Sequence, residues 1–198
     1  MKKRSGKKRS GLWALLMLSL APALALAAEG GDKPGEAFWQ ALQKLCGKSF
    51  QGQLLNPQAR DADMAGKQLL MQVRSCSESE IRVPFHVGED HSRTWVFTRS
   101  SEGLRLKHDH RHADGSEDAI TQYGGDSRGT IKGASVEFFA DAHTAALIPG
   151  AASNVWTVTV DDKSYVYALR REGSDRRFQV AFDLQREVAA PPAPWGQK

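Results

Sequence analysis

Apolar and polar residues alternate along most of the chain that follows Gly47. Segments in which every second residue is apolar predict β-strands with one face turned toward a core. Alternation of this kind is clearest in residues 50–54, 69–73, 81–87, 95–97, 104–106, 165–169 and 178–184. Sequences rich in Gly, Asp and Ser separate these segments and are typical of turns. About nine or ten short strands in hairpin succession predict an all-β fold, an antiparallel barrel or sandwich.

Two short segments have helical spacing instead. Residues 36–46 place apolar side chains three and four positions apart, and Gly47 then predicts the end of a short N-terminal helix. Residues 141–147 predict a second helix, with Asp141 as its N-cap and Pro149 closing it. The strands are therefore expected to carry the core, with the helices as additions.

The N-terminus has the three parts of a secretory signal peptide. Six basic residues among the first nine precede an apolar run over residues 12–26, which ends in the small-residue sequence Ala25-Leu26-Ala27. The run is short for a spanning helix and contains Pro22, which disfavours the alternative of an N-terminal membrane anchor. We expect cleavage after Ala27 and export to the periplasm or to the medium; the sequence leaves both destinations open.

This interpretation divides the chain into four parts. Residues 1–27 form the signal peptide, 28–35 a disordered entry, 36–188 a single β-barrel domain, and 189–198 a Pro-rich C-terminal tail. No second apolar stretch of membrane length follows the signal peptide, so no membrane span is predicted for the mature chain.

The charge of the mature chain argues against nucleic-acid binding. The whole sequence has 27 basic and 23 acidic side chains, but six of the basic ones lie in the predicted signal peptide. The remaining 21 basic and 23 acidic side chains give a net charge of −2. Since phosphate neutralisation requires clustered Lys and Arg, no nucleic-acid partner is predicted.

Cys46 and Cys76 are the only cysteines. An exported chain meets an oxidising environment, so we expect them to form one disulfide that stabilises the fold by roughly 3 to 4 kcal/mol. Two unconnected thiols are the alternative. A metal site that uses both cysteines is disfavoured because neither lies within a few residues of a histidine.

The order of these features resembles the calycin-type barrels, the lipocalin-like superfamily. The resemblance rests on a signal peptide, a short helix, and a meander of about ten strands whose first strand, in GKSFQGQLL, is rich in Gly. The Gly-x-Trp hallmark of lipocalins is absent, since Trp39 lies in the helix before the first strand. The resemblance implies a calycin-like barrel that holds a small ligand in its mouth, and some exported barrels of this kind bind zinc through histidines.

The stretch LRLKHDHRHADGSEDAI contains the residues most suggestive of chemistry. A two-residue hairpin turn at Asp114-Gly115 would pair Arg111 with Asp118 and His112 with Glu117, both of opposite charge. Leu104 and Leu106 begin the same face as the histidines, so that face is expected to turn inward.

His108, His110 and His112 would then follow the barrel wall from core to rim. Histidines at i and i+2 on a strand can reach one ion, and Glu117 from the neighbouring strand would add a carboxylate. These four residues are the predicted metal site, with zinc as the candidate ion. Three other histidines could complete it from other loops: His86, His91 and His143. The alternative is a solvated hairpin tip in which His112 pairs with Glu117 and His108 is an interior hydrogen-bonded histidine.

Two further patterns in the sequence have a structural explanation beside a functional one. GDSRG matches the G-x-S-x-G pattern around Ser127 that marks the nucleophile of some serine hydrolases. Such a nucleophile elbow requires a helix after it, whereas the following TIKGASVEFF is typical of a strand. A turn between strands is therefore predicted. Eight aromatic residues are core candidates that could also line a pocket, with Arg or Tyr groups at its mouth orienting a polar end. They are Phe85, Trp95, Phe97, Tyr123, Trp156, Tyr165, Tyr167 and Phe178.

The favoured hypothesis is an exported β-barrel, without assigned catalytic residues, that binds a small ligand or a metal ion at the histidine end. A metal-assisted hydrolase that uses the same histidines with Glu117 as base is the first alternative. An envelope interaction protein without a small ligand is the second.

Overall fold

A computed structural model describes residues 33–129, 131 and 133–197. The predicted signal peptide and residues 28–32 of the entry lie outside this part of the chain. The predicted all-β fold is confirmed: ten antiparallel strands close into a barrel, and one short strand lies outside it.

The strands follow one another in chain order. They are β1 (Ser49–Leu54), β2 (Leu69–Gln72), β3 (Ser75–Cys76), β4 (Glu80–Val87), β5 (Asp90–Ser100), β6 (Gly103–His110), β7 (Tyr123–Ser127), β8 (Ser135–Ala140), β9 (Asn154–Val160), β10 (Ser164–Arg171) and β11 (Arg177–Glu187). The α-helices are α1 (Glu36–Gln43) and α2 (Ala142–Leu147). Residues 59–61 and 149–151 form short 3₁₀ turns.

Neighbouring strands pair as a meander from β4 to β11, and two further pairings close the ring. β1 pairs with β11 on one side and with β2 on the other, while β2 also pairs with β4. β3 pairs only with β4 and so lies outside the ring. Closure leaves the ten barrel strands without a free edge, which removes the template that an open sheet offers for aggregation.

Helix α1 closes one end of the barrel. Its side chains Phe38, Trp39 and Leu42 are fully buried, as the helical spacing predicts. The Phe38 ring packs edge-on against Phe97 of β5 and Phe138 of β8, at centroid distances of 5.7 Å and 6.2 Å. This end is therefore filled by the helix.

Among the described residues no helix is long and apolar enough to cross a bilayer.

The second predicted helix is also confirmed, and it is fastened to β7. The Asp141 side chain caps α2 by accepting a hydrogen bond from the Thr144 backbone N–H at 2.8 Å. The buried Thr144 hydroxyl donates to the Gly124 carbonyl and accepts from the Gly124 N–H, both at 2.7 Å. The turn predicted for GDSRG is correct only in part: Gly125, Asp126 and Ser127 lie in β7 and pair with β8, whereas Arg128 and Gly129 lie in the connection that follows.

The C-terminal tail crosses the outer surface of the barrel without forming a strand. The Trp195 N–H donates to the His91 carbonyl at 3.1 Å. Gly196 lies against Gly115, in the connection after β6. His86 points outward between the inward-facing residues Phe85 and Val87 of β4, yet it is only 1% exposed. Its ring stacks on His91, and the tail contacts His91 through Trp195.

Cys46 and Cys76 form the expected disulfide, which joins the segment after α1 to β3 across a Cα–Cα distance of 6.3 Å. Their sequence separation of 30 residues predicts that the cross-link stabilises the fold by about 3.5 kcal/mol, through the loop entropy it removes from the unfolded chain. We expect a Cys46→Ser/Cys76→Ser variant to lose that amount in urea unfolding. A loss below about 1 kcal/mol would contradict this value.

Candidate functional site

A cavity of about 260 Å³ opens at the end of the barrel opposite α1. Its lining comes from the beginnings of β5 and β9, the ends of β6 and β10, and the loops beside them. The lining residues are Met64, Phe85, Arg93, Trp95, His108, His110, Tyr123, Ile148, Ala151, Asn154, Trp156, Tyr167, Leu169, Arg171, Arg176 and Phe178. The barrel is therefore filled at one end and open to a small molecule at the other.

Stacked aromatic rings form the deep part of the cavity. Trp95 lies between Phe85 and Tyr167, with centroid distances of 4.8 Å and 4.5 Å and nearly parallel rings. Trp156 packs at 5.2 Å from the His108 ring. Six of the eight aromatic residues proposed from the sequence line the cavity, whereas Phe97 and Tyr165 belong to the core alone. Such walls favour a flat apolar ligand.

His108 is held as a neutral ring inside this wall. Its Nδ1 lies 3.0 Å from the Tyr123 carbonyl oxygen, and its Nε2 lies 2.7 Å from the Tyr167 hydroxyl. A carbonyl can only accept, so Nδ1 carries the proton and the Tyr167 hydroxyl donates to Nε2. Burial lowers the pKa of His108 to about 3. The ring is thus uncharged at neutral pH, with both nitrogens engaged.

His110 lies nearer the mouth and is half-buried. Its Nε2 is 3.2 Å from the Tyr123 hydroxyl, and burial lowers its pKa. Burial also raises the pKa of Tyr123 to about 12, so this hydroxyl stays protonated. The predicted inward face of β6 is correct for these two histidines, which both line the cavity.

The hairpin register predicted from Asp114-Gly115 is wrong. The turn spans three residues, 113–115, and is closed by the His112 N–H donating to the Ser116 carbonyl at 2.9 Å. A two-residue type I′ turn needs positive φ at both central residues, whereas only Gly115, with φ 88°, has it here. Arg111 therefore pairs with Glu117 instead of with Asp118.

This shift separates Glu117 from the histidines. The Glu117 carboxylate accepts a hydrogen bond from Arg111 Nη2 at 3.1 Å and is 57% exposed. His112 lies beyond the end of β6, in the connection to the turn. No group of three or more His, Cys, Asp or Glu side chains in the described part of the chain is arranged to hold a metal ion. Zinc binding by His108, His110, His112 and Glu117 stays a prediction.

The other histidines that could have completed a zinc site lie elsewhere. His86 and His91 stack on the outer surface with ring centroids 4.2 Å apart and an interplanar angle of 18°. A metal ligated by both rings must lie close to both ring planes, which nearly parallel stacked rings do not allow. His143 belongs to α2. None of the three lines the cavity.

Arginines occupy the mouth of the cavity, at positions that the sequence patterns did not single out. Arg93 pairs with Asp90, Arg176 pairs with the buried Asp61 at 2.7 Å, and Arg171 donates from Nε to the Asn154 side chain at 2.9 Å. The alternation of inward and outward side chains along the strands could have identified two of these arginines. Arg93 lies two residues before Trp95, and Arg171 two residues after Leu169, so both share the inward face of their strands.

These features describe a small aromatic cavity with a positively charged mouth. Comparison with known protein families, with curated proteins and with solved structures finds no match to this chain.

Proposed function

We propose that this protein is a small-ligand-binding barrel of the calycin-like type, exported by its N-terminal signal peptide, and that it holds a compact aromatic ligand in the open cavity. The observation that carries the proposal is the contrast between the two ends of the barrel. One end is filled by α1, whereas the other leaves about 260 Å³ between stacked aromatic walls. That volume suits a ligand of one or two fused rings. The Cys46–Cys76 disulfide supports export.

The hydrogen bonds of the histidines favour binding over hydrolysis. A general base must have a nitrogen free to accept a proton from water or substrate. The Nε2 of His108 already accepts from the Tyr167 hydroxyl, and that of His110 is bonded to the Tyr123 hydroxyl. Glu117, the base of the alternative hydrolase, is paired with Arg111 outside the cavity lining. The two histidines therefore support the ligand-binding wall.

Binding of a neutral aromatic probe tests the proposal. We expect naphthalene-2-carboxamide, titrated into ¹⁵N-labelled protein, to shift the indole N–H resonances of Trp95 and Trp156 saturably, because both rings line the cavity. Trp39, a buried residue of α1, and Trp195, on the outer surface, provide internal controls in the same spectrum.

An Ala151→Phe variant provides a second check. Ala151 is buried at the cavity wall, and a phenyl ring there would occupy the space that the probe requires. The variant is expected to abolish the Trp95 and Trp156 shifts. Absence of saturable shifts in the wild-type protein, or shifts at Trp39 and Trp195 equal to those at Trp95 and Trp156, would refute the proposed cavity function.

A further inference from the structure

In the described part of the chain, the charged side chains that line the cavity all carry positive charge. Three arginines line its mouth, Arg93, Arg171 and Arg176, and no Asp or Glu is among the described residues of the lining. Asp90 and Asp61, which pair with Arg93 and Arg176, are not part of the lining. A ligand inside therefore meets cations and hydrogen-bond donors, with no negatively charged side chain.

The three arginines differ in what they can still bind. Arg176 is used by the protein itself, since Nη2 donates to Asp61 and Nη1 to the Gln58 side chain and the Arg177 carbonyl. Arg93 is neutralised by Asp90. Arg171 donates only from Nε, to Asn154, and no described residue accepts a hydrogen bond from its two terminal nitrogens. It has no carboxylate partner among the described residues.

Arginine alone supplies this positive charge at neutral pH. Burial lowers the pKa of His108 to about 3 and also lowers the pKa of His110, so both histidines are uncharged. A guanidinium remains charged throughout the physiological range and presents its N–H groups in a planar fork that matches a carboxylate. The cavity is thus suited to a flat apolar body with one planar anionic end.

We propose that the cavity is selective for aromatic carboxylates, with the ring system held against Trp95 and Trp156 and the carboxylate bound by the terminal nitrogens of Arg171. This inference rests on the proposed ligand-binding function and specifies its ligand class. Arg93 and Arg176 add positive potential at the mouth but keep their protein partners. Asn154 is a positioning residue, because its side-chain oxygen holds Arg171 Nε and directs the guanidinium.

Calorimetric titration of a matched probe pair tests the inference. Naphthalene-2-carboxylate and naphthalene-2-carboxamide have nearly the same shape and differ in charge. We expect the carboxylate to bind the wild-type protein at least about tenfold more tightly, the gain typical of a hydrogen-bonded charge pair. The ratio should hold from pH 6 to pH 8, because arginine does not titrate there. It should fall with added salt.

Neighbouring arginines provide the matched control. Arg171→Gln is expected to reduce the carboxylate-to-carboxamide ratio to about one, and Arg171→Lys should keep part of it. Arg170, on the outer face, is paired with Glu137 and Glu172, so Arg170→Gln removes the same charge without touching the cavity and should leave the ratio unchanged. Thermal unfolding of each variant shows whether its fold is retained.

The outcomes separate this inference from the function on which it rests. Equal binding of both probes, with saturable shifts at Trp95 and Trp156, would overturn carboxylate selectivity and leave ligand binding in place. A preference that survives in Arg171→Gln would overturn the role of Arg171. If neither probe binds, the proposed cavity function fails and the inference fails with it.

Discussion

Acidification from pH 6.5 to pH 4.5 is expected to reduce the free energy of unfolding by on the order of 4 to 5 kcal/mol. Two buried histidines, His86 and His108, account for a loss of this size, and His110, whose pKa burial also lowers, adds to it. Burial lowers the pKa of His86 to about 4 and that of His108 to about 3, against an ordinary value of 6.5. Below pH 6.5 the unfolded chain therefore binds two protons that the native state does not, and each costs about 1.4 kcal/mol per pH unit. Above pH 6.5 these two groups contribute no slope.

His86 allows the strongest test, because no described residue forms a hydrogen bond with either nitrogen of its buried ring. A His86→Phe variant keeps a ring stacked on His91 and removes two unpaired polar atoms. We expect it to be more stable than the wild-type protein by about 1 to 2 kcal/mol at pH 7, and by more at pH 5. Its slope of stability against pH should be lower than that of the wild-type protein by the contribution of one histidine, about 1.4 kcal/mol per pH unit.

Urea unfolding at several pH values measures these quantities. His112→Gln is the matched control, because His112 lies in the exposed connection after β6 and its replacement should leave the slope unchanged. A His86→Phe protein that is less stable than wild type at pH 7, or has the same slope, would show that His86 has a partner which this account lacks.

Truncation of Phe38 to alanine is expected to destabilise the protein by about 3 to 5 kcal/mol. Phe38 is fully buried and packs edge-on against Phe97 and Phe138, where α1 closes the barrel. Its removal leaves a void that this closed wall cannot fill by relaxation. Urea unfolding against Gln40→Ala, an exposed position on the same helix, measures the difference.

The control variant is expected to change the free energy of unfolding by less than about 0.5 kcal/mol. Phe38→Ala should still bind naphthalene-2-carboxamide, because the cavity lies at the other end of the barrel. A loss below about 1 kcal/mol for Phe38→Ala would mean that α1 is not part of the core.

Much of this fold could be predicted because it depends on the spacing of apolar residues along the chain. Alternation along β6 placed His108 and His110 on the inward face that Leu104 and Leu106 begin, and the structure confirms that face. Helical spacing predicted α1, and the Asp141 cap predicted α2. In each case a local pattern determines which side chains are buried.

The position of Glu117 could not be predicted, because register depends on turn geometry. An Asp-Gly pair is compatible with turns of two or three residues, and a change of one residue moves every side chain to the opposite face. The pairing register between β6 and the segment that leads into β7 shifts a second time between Asp118 and Tyr123, where Gln122 adopts a positive φ of 57°. His108 consequently pairs with Tyr123, whereas the register of the predicted two-residue turn would pair it with Thr121.

Two other features depend on contacts between distant parts of the chain. Arg171 lies on the same inward face of β10 as Tyr167 and Leu169. Only the closed barrel shows that this end of β10 lies at the open mouth of the cavity. His86 should face solvent by the same alternation, yet its ring is buried against His91, which the C-terminal tail contacts. Alternation along a strand cannot show what packs on its outer face.

A crystal structure of the protein with naphthalene-2-carboxylate is the most direct test of the account. We predict that the ring system lies between Trp95 and Trp156, with the carboxylate within hydrogen-bond distance of the terminal nitrogens of Arg171. A ligand bound on the outer surface, or a cavity closed by its own side chains in the presence of saturating probe, would contradict the account.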